Sequence, residues 1–158
     1  MVLVTNTVIS ADPVSLEKEL IEIYQRAYVS MPAYAYTERS EIEHYLKWLR
    51  RRAGEGFLLA RVESQAVGFI AVDDHWKTWY GENVGAVHEL VVDPRYQGRG
   101  IGRQLLRKGI QFLQDRGVRR IELWVGERND KAHKFYRSEG FVDAGKWGKW
   151  VRMLKELW

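Results

Sequence analysis

The chain contains no cysteine among its 158 residues. Disulfide bridges, a thiolate nucleophile and zinc–thiolate coordination are therefore excluded. Proline is also scarce, with three residues, and no Pro-rich or low-complexity tract is present. No run approaches the roughly 20 apolar residues of a membrane span. Met1–Asn6 carries neither a basic patch nor a long apolar stretch. No signal peptide and no membrane partner are expected, and a cytoplasmic location fits. Lys and Arg number 25 against 21 acids, a formal net charge of +4. That excess suits an anionic small molecule and is too slight to argue for nucleic acid. What is present is 46% hydrophobic and 29% charged, the balance of a globular protein able to bury a sizeable core.

Residues 2–9 are rich in β-branched types and predict a strand. Asp12-Pro13 reads as a helix start, with the stripe Leu16, Leu20, Ile23, Tyr24, Ala27 running to Tyr28. Residues 31–36 break the pattern. Ser40 and Glu43 fit a capping box for a second helix bearing Ile42, Tyr45, Leu46 and Leu49. Arg50-Arg51-Arg52 ends that helix, where cations offset the dipole, and Gly54 and Gly56 stop it. Phe57–Val62 and Ala66–Trp76 read as a hairpin around residues 63–65, with Asp73-Asp74-His75 as a loop edge. A strand follows over 84–93, then helix 101–116, strand 119–125, helix 130–138 and strand 140–145. Residues 150–157 fit either a helical or a strand period. This order predicts an α/β fold, a mixed sheet with helices on both faces, in one domain over 1–158.

Residues 91–102 carry the most functional information: Val91-Val92-Asp93-Pro94-Arg95-Tyr96-Gln97-Gly98-Arg99-Gly100-Ile101-Gly102. A strand feeding a glycine-rich turn into an amphipathic helix leaves backbone N–H groups without intrachain partners. Glycine lets a ligand approach that backbone, and the helix dipole adds positive potential. Residues 95–108 hold Arg95, Arg99, Arg103, Arg107 and Lys108 and no acid. Together these are the features of a phosphate site. A P-loop is excluded because no Lys follows Gly102. A dinucleotide fingerprint is excluded because position 103 is Arg and Glu122 opens its strand instead of ending it.

The pattern Gln97-x-x-Gly100-x-Gly102, after an apolar strand and Asp-Pro, resembles the pyrophosphate motif of the GNAT superfamily of acetyl-CoA-dependent N-acetyltransferases. Residues 121–141 are similar to the family's second motif: a strand, Asn129, a helix carrying Ala132 and Phe135-Tyr136, then Gly140-Phe141. The resemblance covers about residues 84–157. It implies a mostly antiparallel sheet with a strand at 150–157, and acetyl-CoA as co-substrate. Leu90, Val91 and Val92 would line the pantetheine arm, and Gln97, Gly98, Arg99, Gly100, Ile101 and Gly102 the pyrophosphate. Arg95, Arg99 and Arg103 would reach phosphates, whereas Arg107 reads as a solvated helix residue. Asn129 would cap its helix and bond the pantetheine, with Ala132 alongside. Tyr136 would stand near the thioester sulfur. In the family's ribosomal-protein branch a catalytic Glu occupies the position of Trp124, and this chain departs from it there.

Acetyl transfer to an amine needs a base for the ammonium, polarisation of the carbonyl, and a proton for the departing thiolate. Direct attack needs no protein nucleophile, in keeping with the absence of cysteine. Tyr136 is the candidate acid. His88 is the favoured base, because it titrates near neutrality and shares strand parity with Leu90 and Val92. Glu89 is the competitor and points the other way unless a bulge shifts the register; a water relay serving no single base stays open. The Leu90 amide is the candidate for carbonyl polarisation, which requires the strands over 84–93 and 119–125 to splay. His44 and His133 lack partners at metal spacing, so no metal is assigned. Tyr34/Tyr36, Trp76/Trp79/Tyr80 and Trp147/Trp150 either line an acceptor cleft or pack the core. The expected function is an N-acetyltransferase acting on a primary amine, as a monomer or a homodimer. The alternatives are a non-catalytic CoA-binding regulatory module and a basic nucleic-acid-binding protein.

Overall fold

A computed structural model describes residues 7–11 and 17–157. In chain order the elements are β1 (Thr7–Ala11), α1 (Glu17–Tyr28), α2 (Arg39–Ala53), β2 (Phe57–Val62), β3 (Gln65–Lys77) and β4 (Asn83–Val92). They continue with α3 (Ile101–Asp115), β5 (Arg120–Gly126), α4 (Asp130–Ser138), β6 (Val142–Trp147) and β7 (Trp150–Glu156). The strand expected over 2–9 is described only from Thr7, and the helix start at Asp12-Pro13 lies outside the described residues. One seven-stranded sheet has the order β1-β2-β3-β4-β5-β7-β6. Among its neighbours only β4 and β5 run parallel. The architecture is the expected α/β mixed sheet.

Strand alternation divides the core between the two faces. Phe69 and Ala71 of β3 pack with Phe57, Leu59 and Val91 against Leu20 and Ile23 of α1 and Leu46 and Leu49 of α2. Their neighbours Ile70 and Val72 pack the opposite way, with Ile121 and Leu123, against Leu105, Leu106 and Leu113 of α3. The approach of α3 to β3 is close. A Cβ built on Gly109 would stand 2.9 Å from Val72 Cγ1 and 3.0 Å from Ile70 Cδ1.

Several local expectations need correction. The α2 capping box is formed by Glu38 and Glu41 instead of Ser40 and Glu43, because the helix begins at Arg39 and Ser40 already lies inside it. Asp73-Asp74-His75 is not a loop edge. It lies within β3, where a register shift between Asp73 and Trp76 accommodates the extra residues. β6 starts at Val142, after the turn at Gly140. Residues 150–157 settle as a strand because β7 pairs along all of β5.

Two features position the site. β4 and β5 pair only at Gly85↔Ile121 and Ala86↔Glu122, after which they part. At the far end of β4, Asp93 is fully buried, and its carboxylate accepts bonds from Arg26 of α1 (2.8 Å) and from the Arg95 side chain (2.8 Å) and backbone amide (3.0 Å). Burial alone would raise the Asp93 carboxyl, but the bonds from Arg95 and Arg26 together outweigh it and hold the pKa at about 2. A depressed carboxyl stabilises the fold above its unfolded pKa and loses that contribution on acidification. Asp93→Asn is therefore expected to cost about 2 kcal/mol at pH 7. The gap to the parent should close as pH falls from about 4 toward 2, measured by urea unfolding across that range.

Candidate active site

The parting of β4 from β5 leaves one flank of β4 facing a crevice from Val87 onward. Val87, Leu90, Leu123, Val125, Gly126, Asn129, Ala132 and Tyr136 line it. Beyond the crevice, Pro94–Tyr96 makes a short 3-10 turn and α3 begins at Ile101. Gly98 and Gly100 have φ of 79° and 80°, a left-handed conformation that L side chains rarely adopt. Among the described residues the amides of Gly98 through Arg103 have no internal acceptor; the first helical bond recorded is from Gln104 to Gly100 O. A bare backbone concavity at a helix N-terminus fits a pyrophosphate.

The basic residues divide differently from the sequence expectation. Arg95 is turned to Asp93, and Arg103 pairs with Glu139 at 2.5 Å, with Arg107 on the same carboxylate. Each is thus paired with an acid, Arg95 with Asp93 two residues before it and Arg103 with Glu139 of the turn after α4. Arg99 is exposed and lies over the Tyr96 ring at 5.0 Å. Gln97 is a local brace. Its amide donates to Val92 O (3.1 Å) and its Oε1 accepts from Lys131 (3.1 Å), which brings a further ammonium to the loop. No part of the sequence reading pointed to Lys131. Its only signal is its place in the first turn of the helix that carries Ala132 and Tyr136.

Asn129 caps α4, its Oδ1 accepting from the Ala132 amide at 3.3 Å. The Tyr136 ring packs edge-on against Phe135 and Phe141. Its hydroxyl has no recorded partner among the described residues. Burial first, and the Glu89 charge second, raise it above the ordinary phenol value. That coupling agrees with Glu89 and Tyr136 sharing the same crevice.

A bulge in β4 decides where His88 and Glu89 go. Ala71 pairs with Glu89 and Val72 with Val87, so His88 is the extra residue. Glu89 keeps the parity of Val91, which faces α1 and α2. His88 is turned to that same side and does not share a face with Leu90 and Val92, which pack toward α3. The His88 ring sits edge-on between Trp48 (4.9 Å) and Trp76 (4.7 Å). Its Nε2 meets Asp73 Oδ2 at 2.9 Å. Asp73 is fully buried and also accepts from Arg52 (2.8 Å) and the His75 amide (3.0 Å). Burial would raise Asp73, but the bonds from His88, His75 and Arg52 together bring it to about 2. Asp73, Asp74 and His75 offer ligand atoms within 4.8 Å of one another; Arg52 and His88 take Asp73 Oδ2, and Oδ1 faces the His75 amide and ring.

Glu89 stands at the centre. The hydroxyl of Tyr28 donates to one carboxylate oxygen, and that of Tyr45 to the other at 2.7 Å. Burial raises the Glu89 carboxyl and the two hydroxyls pull it back only in part, leaving a pKa of about 7. Burial and the nearby Glu89 push both tyrosines well above their usual value, so they remain donors. The sequence reading counted Tyr28 and Tyr45 as helix packing, and nothing in their spacing reveals that their hydroxyls converge on one carboxylate.

Above Glu89 opens a cleft of about 790 Å³. One wall is the segment between α1 and α2. Tyr34 is pressed onto Gly126, where a Cβ would stand 2.5 Å from its ring, and its hydroxyl accepts from the Arg128 amide (3.0 Å). Lys149 ties the same segment to the β6–β7 turn by donating to Ala33 O. Tyr34, Tyr36, Trp79, Trp147 and Trp150 from the aromatic clusters all line the cleft. Trp76 and Tyr80 do not: Trp76 flanks His88 and donates to buried Glu122 (3.3 Å), and Tyr80 lies under Arg152. His133 is buried with Nε2 on Gly126 O (3.1 Å), and His44 is exposed on α2. Among the described residues, no helix is long and apolar enough to cross a membrane.

Known proteins are similar to this chain in sequence and fold. A sequence model of the acetyltransferase (GNAT) family matches residues 17–141. An uncharacterized N-acetyltransferase of Methanocaldococcus jannaschii is 37% identical over 140 residues, 88% of this chain. The chain spans 62% of that relative's length. A crystal structure from Pyrococcus horikoshii OT3 is 40% identical with a TM-score of 0.87, covering 96% of this chain and 98% of the other. The PaiA N-acetyltransferase of Thermoplasma acidophilum, solved with coenzyme A, shares the fold at 22% identity, with a TM-score of 0.80 over 96% of this chain and 99% of its own. With the bare amide cradle, the parted strands and a family match over most of its length, the chain belongs to the GNAT family of acetyltransferases.

Proposed function

We propose that the protein is an acetyl-CoA-dependent N-acetyltransferase that moves the acetyl group directly to a primary amine in a ternary complex. The observation that carries the reading is the position of Glu89, a half-buried carboxylate with a pKa raised to about 7, at the junction of the aromatic cleft and the crevice containing Tyr136. Bound acetyl-CoA supplies an acetyl group activated as a thioester. The free amides of residues 98–103, with Arg99 and Lys131 nearby, hold its pyrophosphate. The crevice edge of β4 and Asn129 receive the pantetheine, with the Leu90 amide beside the carbonyl.

The chain's own residues then handle two protons. Glu89, as the carboxylate, accepts one from the incoming ammonium and leaves a nitrogen with a free lone pair. A base with a pKa near the working pH is well matched to that task. Tyr136, kept protonated by its surroundings, donates to sulfur as the C–S bond breaks. The N–C bond forms in the same exchange, the second proton of that nitrogen passes to the Tyr136 phenolate to restore the phenol, and Glu89 returns its proton to solvent. Although the sequence favoured His88, its ring is packed between two indoles with Nε2 committed to Asp73. It positions the floor of the cleft next to Glu89. The reaction needs no metal, and a single catalytic domain in the cytoplasm fits the lack of cysteine.

Glu89→Gln is expected to lower kcat by at least about 100-fold. It should also remove the limb near pH 7 from the kcat/KM profile while leaving CoA affinity within threefold. Stopped thiol release with calorimetry checks both. Tyr136→Phe should slow turnover more than it weakens acetyl-CoA binding. A regulatory module would bind CoA and release no thiol with any amine.

Gly100→Val places a β-branched residue at φ 80° in the cradle. It should lose CoA binding by calorimetry while keeping the parent's circular dichroism. Retained micromolar affinity would remove residues 98–103 from the assigned role.

A further inference from the structure

The lining of the cleft narrows the acceptor, given the reading of Glu89 as its nitrogen's partner. Glu89 is the one carboxylate among the described lining residues, and Lys149 the one Lys or Arg. The nearby acid Glu122 is buried and saturated by the Trp76 and Trp124 indoles and by Arg152. A second ammonium would find no second carboxylate and would face Lys149. A peptide would need backbone partners, but the rim amides of Tyr36 and Arg128 are taken by the hydroxyls of Tyr24 and Tyr34. The remaining wall is aromatic. Tyr34 and Trp150 are 5.4 Å apart, and Trp79 and Trp147 extend the surface outward at 5.9 Å from each other. These last two indoles are 78% and 69% exposed at the mouth. Exposed aromatic surface continuous with a cleft marks a ligand-binding face. The cleft, at about 790 Å³, is in the range that holds a drug-sized molecule.

We infer that the acceptor is a primary monoamine with a bulky aromatic body, its single ammonium on Glu89 and its body against the Tyr34–Trp150 wall, reaching the Trp79–Trp147 pair. The aromatic faces near Glu89 favour the cation before it gives up its proton. The indoles at the mouth cover the end of the body that stays closest to water.

Four of the lining residues are tryptophans, so binding can be read without turnover. The full chain with CoA is titrated with 2-phenylethylamine, 4-phenylbutylamine, spermidine and an uncharged-side-chain tetrapeptide, following tryptophan fluorescence and calorimetry. The arylalkylamines are expected to bind at least about tenfold tighter than spermidine or the peptide, with 4-phenylbutylamine the tighter of the two. Trp147→Ala should weaken 4-phenylbutylamine about fivefold or more while leaving CoA affinity unchanged. Equal affinity across the panel, or tighter binding of spermidine or the peptide, overturns the acceptor class. If the arylalkylamines bind preferentially but release no thiol, the acceptor class stands and the proton-transfer reading of Glu89 and Tyr136 fails. If spermidine is the better substrate, the transferase stands and the acceptor class fails.

Discussion

The early parting of β4 and β5 is the constraint on which the rest depends. Two registered pairs hold the parallel strands together, and beyond Ala86 and Glu122 the ladder stops. A sheet interior ordinarily consumes its backbone donors and acceptors. Here the sheet gives up part of a ladder and gains a crevice with a polar edge. β5 loses nothing on its other side, where β7 pairs with it from Arg120 to Gly126. The flanking pairs β3–β4 and β5–β7 are long enough to keep both strands in place around the opening.

The two faces of the sheet then divide the labour. The α3 and α4 side carries the bare amide loop, Asn129 and Tyr136. The α1 and α2 side carries Tyr28, Tyr45 and the aromatic walls. Glu89 belongs by parity to the second side and reaches the first through the gap between the strands. A bulge at His88 adds a brace next to it, where Asp73 fixes the imidazole and two indoles hold its faces. Burial raises the Glu89 carboxyl to about 7, and the two phenols keep it from drifting higher.

Much of this was legible in the sequence where the information is local. The strand–turn–helix over 91–102 is spelled by its own residues, and the Asn129 cap by the four residues that make it. The order of strands and helices followed from periodicity, except over 150–157, where both periods fit and the family resemblance pointed to the strand that pairs with β5. The surroundings of Glu89, the proposed base, were not legible. The parity of Glu89 was read correctly, but which face holds the cleft depends on how α1 and α2 close over the sheet. The tyrosines that grip it looked like parts of an apolar stripe because their rings are packed and only their hydroxyls are functional. Arg103 looked free because its acid, Glu139, lies 36 residues away; Asp93 stands two residues from Arg95, but the burial that draws the guanidinium onto it is a product of folding. The α2 box was misplaced by two residues because Glu38 offers the same chemistry as Ser40 two positions earlier in the chain.

The carboxylate grip on Glu89 is assembled from α1, α2 and β4, whereas the bare amide loop is contained within one turn and the helix after it. The lining of the aromatic cleft, drawn from residues 24–45, Trp79, Trp124 and the β6–β7 turn, can thus vary without touching the bare amide loop. A scaffold partitioned in this way lets new specificities arise by repainting one wall, without rebuilding the engine behind it.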